Sequence, residues 1–455
     1  MKTKIVTLLF FIIAISLNAQ KKWSLVEAVN YALENNISIK QQQLSNQILE
    51  EDILSARGNF YPSLNGSASH NYNFGSYIDN YGDRVSIDSR SNNFSLNTGV
   101  LLYNGNRNWI ALKQARKTLE AAGFNLQESR NDIMLFVVNS YLQVLFNKEN
   151  VKISAEQILI SESQVEKAKQ LVEAGEQPKA IQLEAEATLA TNIEQLTVAE
   201  NNLEISLLNL AQLLQISHKG FDIKDVDINI DAASLIYNDT DKIYNAALNQ
   251  LPEIKSAELA IENANLAIEN AEAGYLPTLS LGGGVGSSYQ HRLGEKDVRV
   301  IIDPDTNTPV TVSNGFGKQL EDNLGYNVGL SLNIPIFNRF QNKVNVNKAK
   351  IRKEQAELQL LDEKINLREA IEKAYADAKA ALKQYLAAQK SVEAQKESFN
   401  NAQASYNAGV MTSFDFDQVR NRYVNAQSSL VNAKYNFVFR TKLLEYYLGI
   451  PIVIE

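Results

Sequence analysis

Four segments of the chain alternate apolar and polar residues with a period of two, and four much longer ones repeat apolar residues with the period of a helix. In the first strand-like segment Leu64, Ala68, Tyr72 and Phe74 alternate with Asn65, Ser67, Ser69, Asn71 and Asn73. The second sets Phe94, Leu96, Thr98, Val100 and Leu102 against Ser95, Asn97 and Gly99. The third sets Leu279, Leu281, Val285 and Tyr289 against Ser280, Gly282, Gly284, Gly286 and Ser288, and the fourth sets Tyr326, Val328, Leu330, Leu332 and Ile334 against Gly325, Asn327, Gly329, Ser331 and Asn333. This period predicts strands at about 60–74, 94–103, 278–289 and 325–336, each with one apolar and one polar face. A half-buried strand of a soluble sheet shows the same alternation. Two features point instead to a bilayer: strands of about ten residues suffice to cross one at a tilt, and the polar side is Asn, Ser and Gly rather than charge, as suits a wet lumen.

The helical segments are bounded by the few prolines. These stand at 62, 178, 252, 277, 304, 309, 335 and 451, and the stretches between them are rich in Ala, Gln, Glu, Lys and Leu. Long helices are predicted over 108–174, 178–214, 341–408 and 412–448. A helix of 67 residues from Asn108 to Ala174 would be roughly 100 Å long, too long for a compact globule. Leu189, Leu196, Leu203 and Leu210 recur every seven residues with Ile193, Leu207 and Leu214 between them, and Tyr423, Leu430, Phe437 and Leu444 take the corresponding places later. Such heptads require packed partner helices. A further helix at 37–57, laid end to end with 178–214, approaches the length of the long helix beside them.

The chain is duplicated. The run Ala56–Leu64, ending Phe60-Tyr61-Pro62-Ser63-Leu64, returns as Ala271–Leu279, ending Tyr275-Leu276-Pro277-Thr278-Leu279; Leu102-Tyr103-Asn104 answers Ile336-Phe337-Asn338, and Ala174-Gly175 answers Ala408-Gly409. The offset grows between Leu279 and Ile336, which places an enlarged loop there. The expected organisation is a first repeat at 20–216, a linker at 217–240, a second repeat at 241–450 and a tail at 451–455.

Four strands cannot close a barrel, and lipid tolerates no open sheet edge. Several copies must therefore share one. Three supply about twelve strands, within the range that keeps a lumen open, so a homotrimer in a lipid bilayer is expected. Lys2 and Lys4 ahead of the apolar run Ile5–Ile15 and the small Ala19 read as a secretory signal peptide over 1–19. The chain has no cysteine, hence no thiol for a lipid anchor and no disulfides. Its net charge of −8, more negative by two once Lys2 and Lys4 are lost, argues against nucleic acid as a partner.

No chemical site is apparent. His70, His218 and His291 have no companions at ligand spacing, Glu184 and Glu186 lie on a solvated helix face, and Gly282-Gly283-Gly284-Val285-Gly286 lacks the spacing and the Lys-Ser/Thr of a nucleotide loop. Neither an enzyme nor a cofactor or metal is expected. The competing reading is a secreted periplasmic coiled-coil structural or adaptor protein without a membrane barrel.

The segment Tyr406-Asn407-Ala408-Gly409-Val410-Met411-Thr412-Ser413-Phe414-Asp415, continued by Arg422, Ala426, Leu430, Ala433-Lys434-Tyr435-Asn436 and Leu443-Leu444-Glu445-Tyr446-Tyr447-Leu448-Gly449, resembles the C-terminal repeat of TolC-like outer-membrane efflux proteins. The opening Trp23–Val29 with Ala32-Leu33-Glu34-Asn35-Asn36 resembles that family's N-terminal helix. The resemblance implies a mainly α chain with a membrane β-barrel portion: a trimeric twelve-stranded barrel continued by an α-helical barrel across the periplasm. It implies docking to a periplasmic adaptor and an inner-membrane transporter. It also implies an entrance at the helix tips, where the turns fall at Gly175 and Gly409. In the family's best-studied form aspartates six and nine residues past the second glycine ring that entrance. Here the sixth is Asp415 and the ninth is Gln418, with Asp417 one place earlier, and Met411 replaces an arginine. The implied entrance residues are Asp415, Asp417 and Gln418.

Overall fold

The computed structural model describes residues 22–86, 88–226 and 239–450; the expected signal peptide, the middle of the linker and the tail lie outside them. In chain order the first half contains β1 (Lys22–Trp23), α1 (Leu25–Asn35), α2 (Ile37–Gly58), β2 (Ser63–Asn73), a hairpin of β3 (Ser76–Ile78) and β4 (Arg84–Ser86), β5 (Ser89–Tyr103), α3 (Arg107–Glu173) and α4 (Lys179–Leu214). After β6 (Asp222–Ile223) the second half contains α5 (Thr240–Gln250), α6 (Pro252–Glu272), β7 (Thr278–Arg292), a hairpin of β8 (Val298–Ile302) and β9 (Pro309–Ser313), α7 (Phe316–Asp322), β10 (Gly325–Asn333), α8 (Gln341–Asn407) and α9 (Ser413–Tyr447).

The long helices stand within a residue or two of their predicted bounds. The strands are less well matched, because β5 begins at Ser89 and β7 runs to Arg292: main-chain pairing from Ser89↔Arg292 to Ser91↔Gln290 continues through polar residues that no apolar alternation marks. At the N-terminus Trp23 belongs to β1, which pairs with β6 in parallel, and the helix starts only after Ser24. There the Ser24 and Glu27 side chains each accept a hydrogen bond from the other residue's backbone N–H, a reciprocal cap that fixes the boundary. Asn36 separates α1 from α2 and, through Oδ1, accepts from Ser38 N at 2.9 Å. In the second repeat Leu251 separates α5 from α6, whose first residue is Pro252, the position where a missing N–H costs no helical bond.

The chain divides into two compact units, one formed by residues up to 46, 121–258 and 358 onward, the other by 47–120 and 259–357. In the first, the repeats build two similar cores. Leu25, Ala28 and Ala32 of α1 pack with Val137, Tyr141 and Leu145 of α3 and with Leu210 and Leu214 of α4. Ile243 and Ala247 of α5 and Ile254 of α6 pack with Leu367, Ile371, Ala374 and Ala378 of α8 and Leu444 of α9. The predicted heptads thus close onto partner helices at Leu210, Phe437 and Leu444, while Ile193 remains exposed. The linker is more than a tether, since Lys148 of α3 sits 2.6 Å from the Asp222 carboxylate and donates to Ile223 O at 2.7 Å.

The second unit is built on an antiparallel sheet of order β10-β7-β5-β2, so β2 and β10 are its edges. Chain connections to helices leave one end, and both loops leave the other. The enlarged loop of the second repeat holds β8, β9 and α7. Pairing of β10 with β7 stops at Gly325↔Gly286, and α7 takes over the strand beyond it. Gln319 accepts from Gln290 N at 3.0 Å and donates to Gln290 O at 3.0 Å, and Asn323 donates to Ser288 O at 2.7 Å. The bare edge of β7 is covered in this way.

Candidate functional site

The registers place the alternating apolar residues of all four main strands on one face, while Leu101 of β5, opposite Ser280, falls on the other. Leu64 lies opposite Thr98, Ala68 opposite Phe94, Leu96 opposite Val285, Val100 opposite Leu281, Tyr326 opposite Val285 and Leu330 opposite Leu281. This face is uncovered over much of its extent: Tyr326 is 87% exposed, Val328 82% and Leu64 67%. Burying a side chain of this size is worth about 1.5–3 kcal/mol, so a row of them left in water is a surface built for another apolar medium.

The opposite face carries Asn65, Ser67, Ser69, Asn93, Ser95, Asn97, Ser280, Asn327 and Ser331 with Gly99, Gly282, Gly284, Gly286 and Gly329 between them. Its side chains bond to one another: Ser67 and Ser95 hydroxyls lie 2.7 Å apart, and Asn97 donates to Ser95 Oγ at 3.0 Å. Gly284 fits this crowding, because a Cβ there would stand 2.6 Å from Asn97 Oδ1 and push that side chain aside. Between Ser63 and Gly99, Gly282 and Ser288, and Gly325 and Asn333 this face holds no charged residue. Aromatic residues gather at both ends of the sheet. Exposed Tyr61, Trp109, Tyr275, Phe337 and Phe340 stand at the helix end, and exposed Tyr72 and Phe74 at the loop end. Paired aromatic girdles flanking an apolar band mark the interfaces of a bilayer. No described helix is long and apolar enough to cross a membrane.

In the helical unit the two expected turns have the same geometry. Gly175 and Gly409 both have φ +76°. Gly175 N donates to Val172 O at 3.0 Å and Glu176 N to Leu171 O at 2.9 Å; Gly409 N donates to Tyr406 O at 3.1 Å and Val410 N to Ser405 O at 3.0 Å. These are Schellman closures, in which the left-handed residue falls on glycine because L side chains disfavour it. Lys167 of α3 donates to Tyr406 O at 2.7 Å and to Asn407 O at 3.4 Å, placing a cation on the last carbonyls of α8.

The three implied entrance residues sit differently from one another. Asp415 is exposed and takes part in the cap of α9: its N–H donates to Thr412 Oγ1 at 3.1 Å, and that hydroxyl donates to its carboxylate at 2.7 Å. Gln418 is exposed and accepts from Arg422 at 2.9 Å. Asp417 faces inward, accepting from Gln164 Nε2 at 3.0 Å and lying 3.2 Å from the guanidinium of Arg420.

Arg420 is the residue that sequence reasoning missed. It is buried, and it also donates to Gln164 Oε1 at 2.6 Å and Ser161 Oγ at 3.1 Å; Asn192 donates to the same hydroxyl. A polar layer of Gln157, Ser161, Gln164, Asn192 and Arg420 thus crosses α3, α4 and α9. Burial pulls the Arg420 guanidinium below its ordinary value, and Asp417 opposes that. The available signal was register: Asn192 falls in the stripe between Leu189 and Leu196, and Arg420 lies between Phe416 and Tyr423, where a core residue belongs. Below this layer Phe416 stacks on Tyr406 with ring centres 4.9 Å apart and tilts against Phe399 at 5.7 Å.

Among the described residues no group of His, Cys, Asp or Glu is placed to hold a metal ion. The sequence profile of the family described as "Outer membrane efflux protein" matches residues 28–214 and 243–449, the two repeats. The chain is 22% identical over 437 residues to outer membrane protein TolC of Vibrio cholerae serotype O1, covering 94% of this chain and 90% of that protein. It is 23% identical over 432 residues to TolC of Escherichia coli, covering 94% and 82%. Its fold is similar to the crystal structure of the outer membrane protein VceC from Vibrio cholerae, with a TM-score of 0.72 at 16% identity over 93% of this chain and 96% of that one.

Proposed function

Because the chain belongs to the outer membrane efflux protein family, and is thus an outer-membrane efflux channel of the TolC type and not an enzyme, we propose that three copies close one barrel. Each contributes the sheet β10-β7-β5-β2 to a wall of twelve strands, β10 of one copy meeting β2 of the next. The observation that carries this reading is the sheet itself, which among the described residues has two unpaired edges and an apolar face left in the open. A membrane accepts neither exposed edges nor a polar outer face, and closure by sister copies removes the edges while turning the Asn, Ser and Gly face to a lumen.

The helices then form the periplasmic conduit, with the turns at Gly175 and Gly409 at its entrance and, beyond them, a periplasmic adaptor and an inner-membrane transporter. Asp415 is the carboxylate we assign to the entrance, since it is exposed and makes no ion pair among the described residues. Gln418 lies one turn further along beside it, and Asp417 anchors the helix through Arg420. The channel conducts passively what the transporter delivers. A soluble adaptor would leave the apolar face of the sheet without a role.

Expression in a Gram-negative host deleted for its own efflux channel tests the reading. The protein should fractionate with the outer membrane, require detergent for extraction and lower the intracellular level of an exported dye. Recovery in the soluble periplasmic fraction would refute it.

A further inference from the structure

The extracellular hairpins carry an apolar surface that neither the strand wall nor the helix tips explain. On β8, Val298, Val300 and Ile302 share one face with Pro309 and Thr311 of β9, and all five are exposed. The other face is less open: Ile301 and Val310 there are 38% and 40% exposed, against 68% for Val300 and 65% for Ile302, and Arg299 on that side pairs with Asp322 of α7 at 2.9 Å. α7 cannot cover the strip, being committed to β7 through Gln319 and to the sheet through Phe316, whose ring lies 5.1 Å from Tyr289 and 6.4 Å from Phe94. A two-stranded ribbon with one apolar face bare is marginal by itself and calls for a packing partner.

Topology identifies the partner. The β3–β4 hairpin follows directly on edge strand β2, and the loop of β8, β9 and α7 leads directly into edge strand β10. Both loops leave the same end of the sheet, since Asn73 lies opposite Ser89 and Ser89 opposite Arg292. Where β10 of one copy meets β2 of the next, the two loops flank the same seam. The β3–β4 hairpin presents exposed Tyr77, Ile78 and Tyr81. Two carboxylates of these loops are engaged by their own turns: in the β3–β4 hairpin Asp79 accepts from Tyr81 N and Asp83 N at 2.9 Å each, and in the β8–β9 turn Asp303 accepts from Asp305 N at 2.9 Å.

We propose that the Val298, Val300 and Ile302 strip packs on the β3–β4 hairpin of the neighbouring copy, forming a collar of alternating hairpins around the outer mouth. The proposal rests on closure of the barrel by sister copies.

The chain has no native cysteine, so pairs can be introduced cleanly. Two differently tagged chains, one Ile78→Cys and one Val300→Cys, are co-expressed and treated in outer-membrane vesicles with a short bis-maleimide. The expected result is a linked heterodimer carrying both tags, with no homodimer from either chain expressed alone. Absence of the heterodimer while the detergent-extracted complex keeps the mass of three chains would overturn the collar and leave barrel closure standing. A mass of one chain would overturn both. A Val300→Cys homodimer formed alone would show the strips meeting each other and would also overturn the collar. Both positions are exposed, and the oligomer's resistance to dissociation in cold detergent reports independently that the variants have folded.

Discussion

Asp417 holds its carboxylate 3.2 Å from the guanidinium of Arg420, one helical turn away on α9, and the arginine it faces is 1% exposed. A buried cation with a single carboxylate is sensitive to loss of that partner. Asp417→Asn is therefore expected to destabilise the helical unit by about 3–5 kcal/mol, the cost of leaving a buried charge unpaired. Arg420→Met in the Asp417→Asn background should recover much of the loss, because it removes the charge and keeps the volume. Thermal unfolding followed by circular dichroism in detergent reads both; equal stability of the single variant and the parent would contradict the assignment.

Gly175→Ala and Gly409→Ala are expected to cost about 1–2 kcal/mol each, the penalty for an L residue in the left-handed region. No atom lies within 4 Å of a Cβ built at either site, so the effect comes from the backbone alone. Faster amide exchange at Glu176 and Val410, with no change in the cores around Leu210 and Ile371, is the expected signature.

Tyr141→Phe tests how the linker is held. The Tyr141 hydroxyl lies 3.1 Å from Trp23 O and 2.8 Å from Lys224 O, bridging the ends of β1 and β6, and burial pushes its pKa up. Removing it leaves two carbonyls without this donor and should cost about 1–3 kcal/mol. Proteolytic nicking between residues 217 and 240 should accelerate.

Protons act on a carboxylate group among α3, α6 and α8. Burial, with the charges of Glu128, Asp132 and Glu363, pushes Glu253 above the usual carboxylate range; burial also raises Glu128 and Asp132. A raised folded value means that the folded state binds protons before the unfolded one does. The group therefore destabilises when ionised at neutral pH, and stability is gained as pH falls through the folded values toward 4.5. Asp222 has the opposite sign: burial would raise it, but hydrogen bonds from Lys148 and Lys22 outweigh burial and hold it below 3.8, so its contribution is lost only at still lower pH. Glu253→Gln should raise the melting temperature at pH 7 and flatten its rise on acidification; an unchanged pH profile would contradict this.

The period of the apolar residues carried most of the fold, because long helices and alternating strands each impose one repeat over many positions. Leu189 to Leu214 marked the seam of α4 and Leu64 to Phe74 the faces of β2. Reading was weakest where pairing persists without patterning, as at Ser89–Ser91, and in the enlarged loop, where Val298–Ile302 is too short a run to distinguish strand from helix. At the helix tip, Gly175 and Gly409 were legible because a left-handed turn selects glycine. Arg420 was not, since a charged residue on a polar helix reads as solvated until its register against Phe416 and Tyr423 is considered. Asp415 and Asp417 look alike in sequence and are separated only by the helix face each occupies.

The claim on which the rest depends is that one chain supplies a third of a closed wall. The mass of the detergent-extracted protein, measured by native mass spectrometry, tests it most directly. Three chains held together, dissociating to one only on heating, is the predicted result; a stable single chain would contradict it.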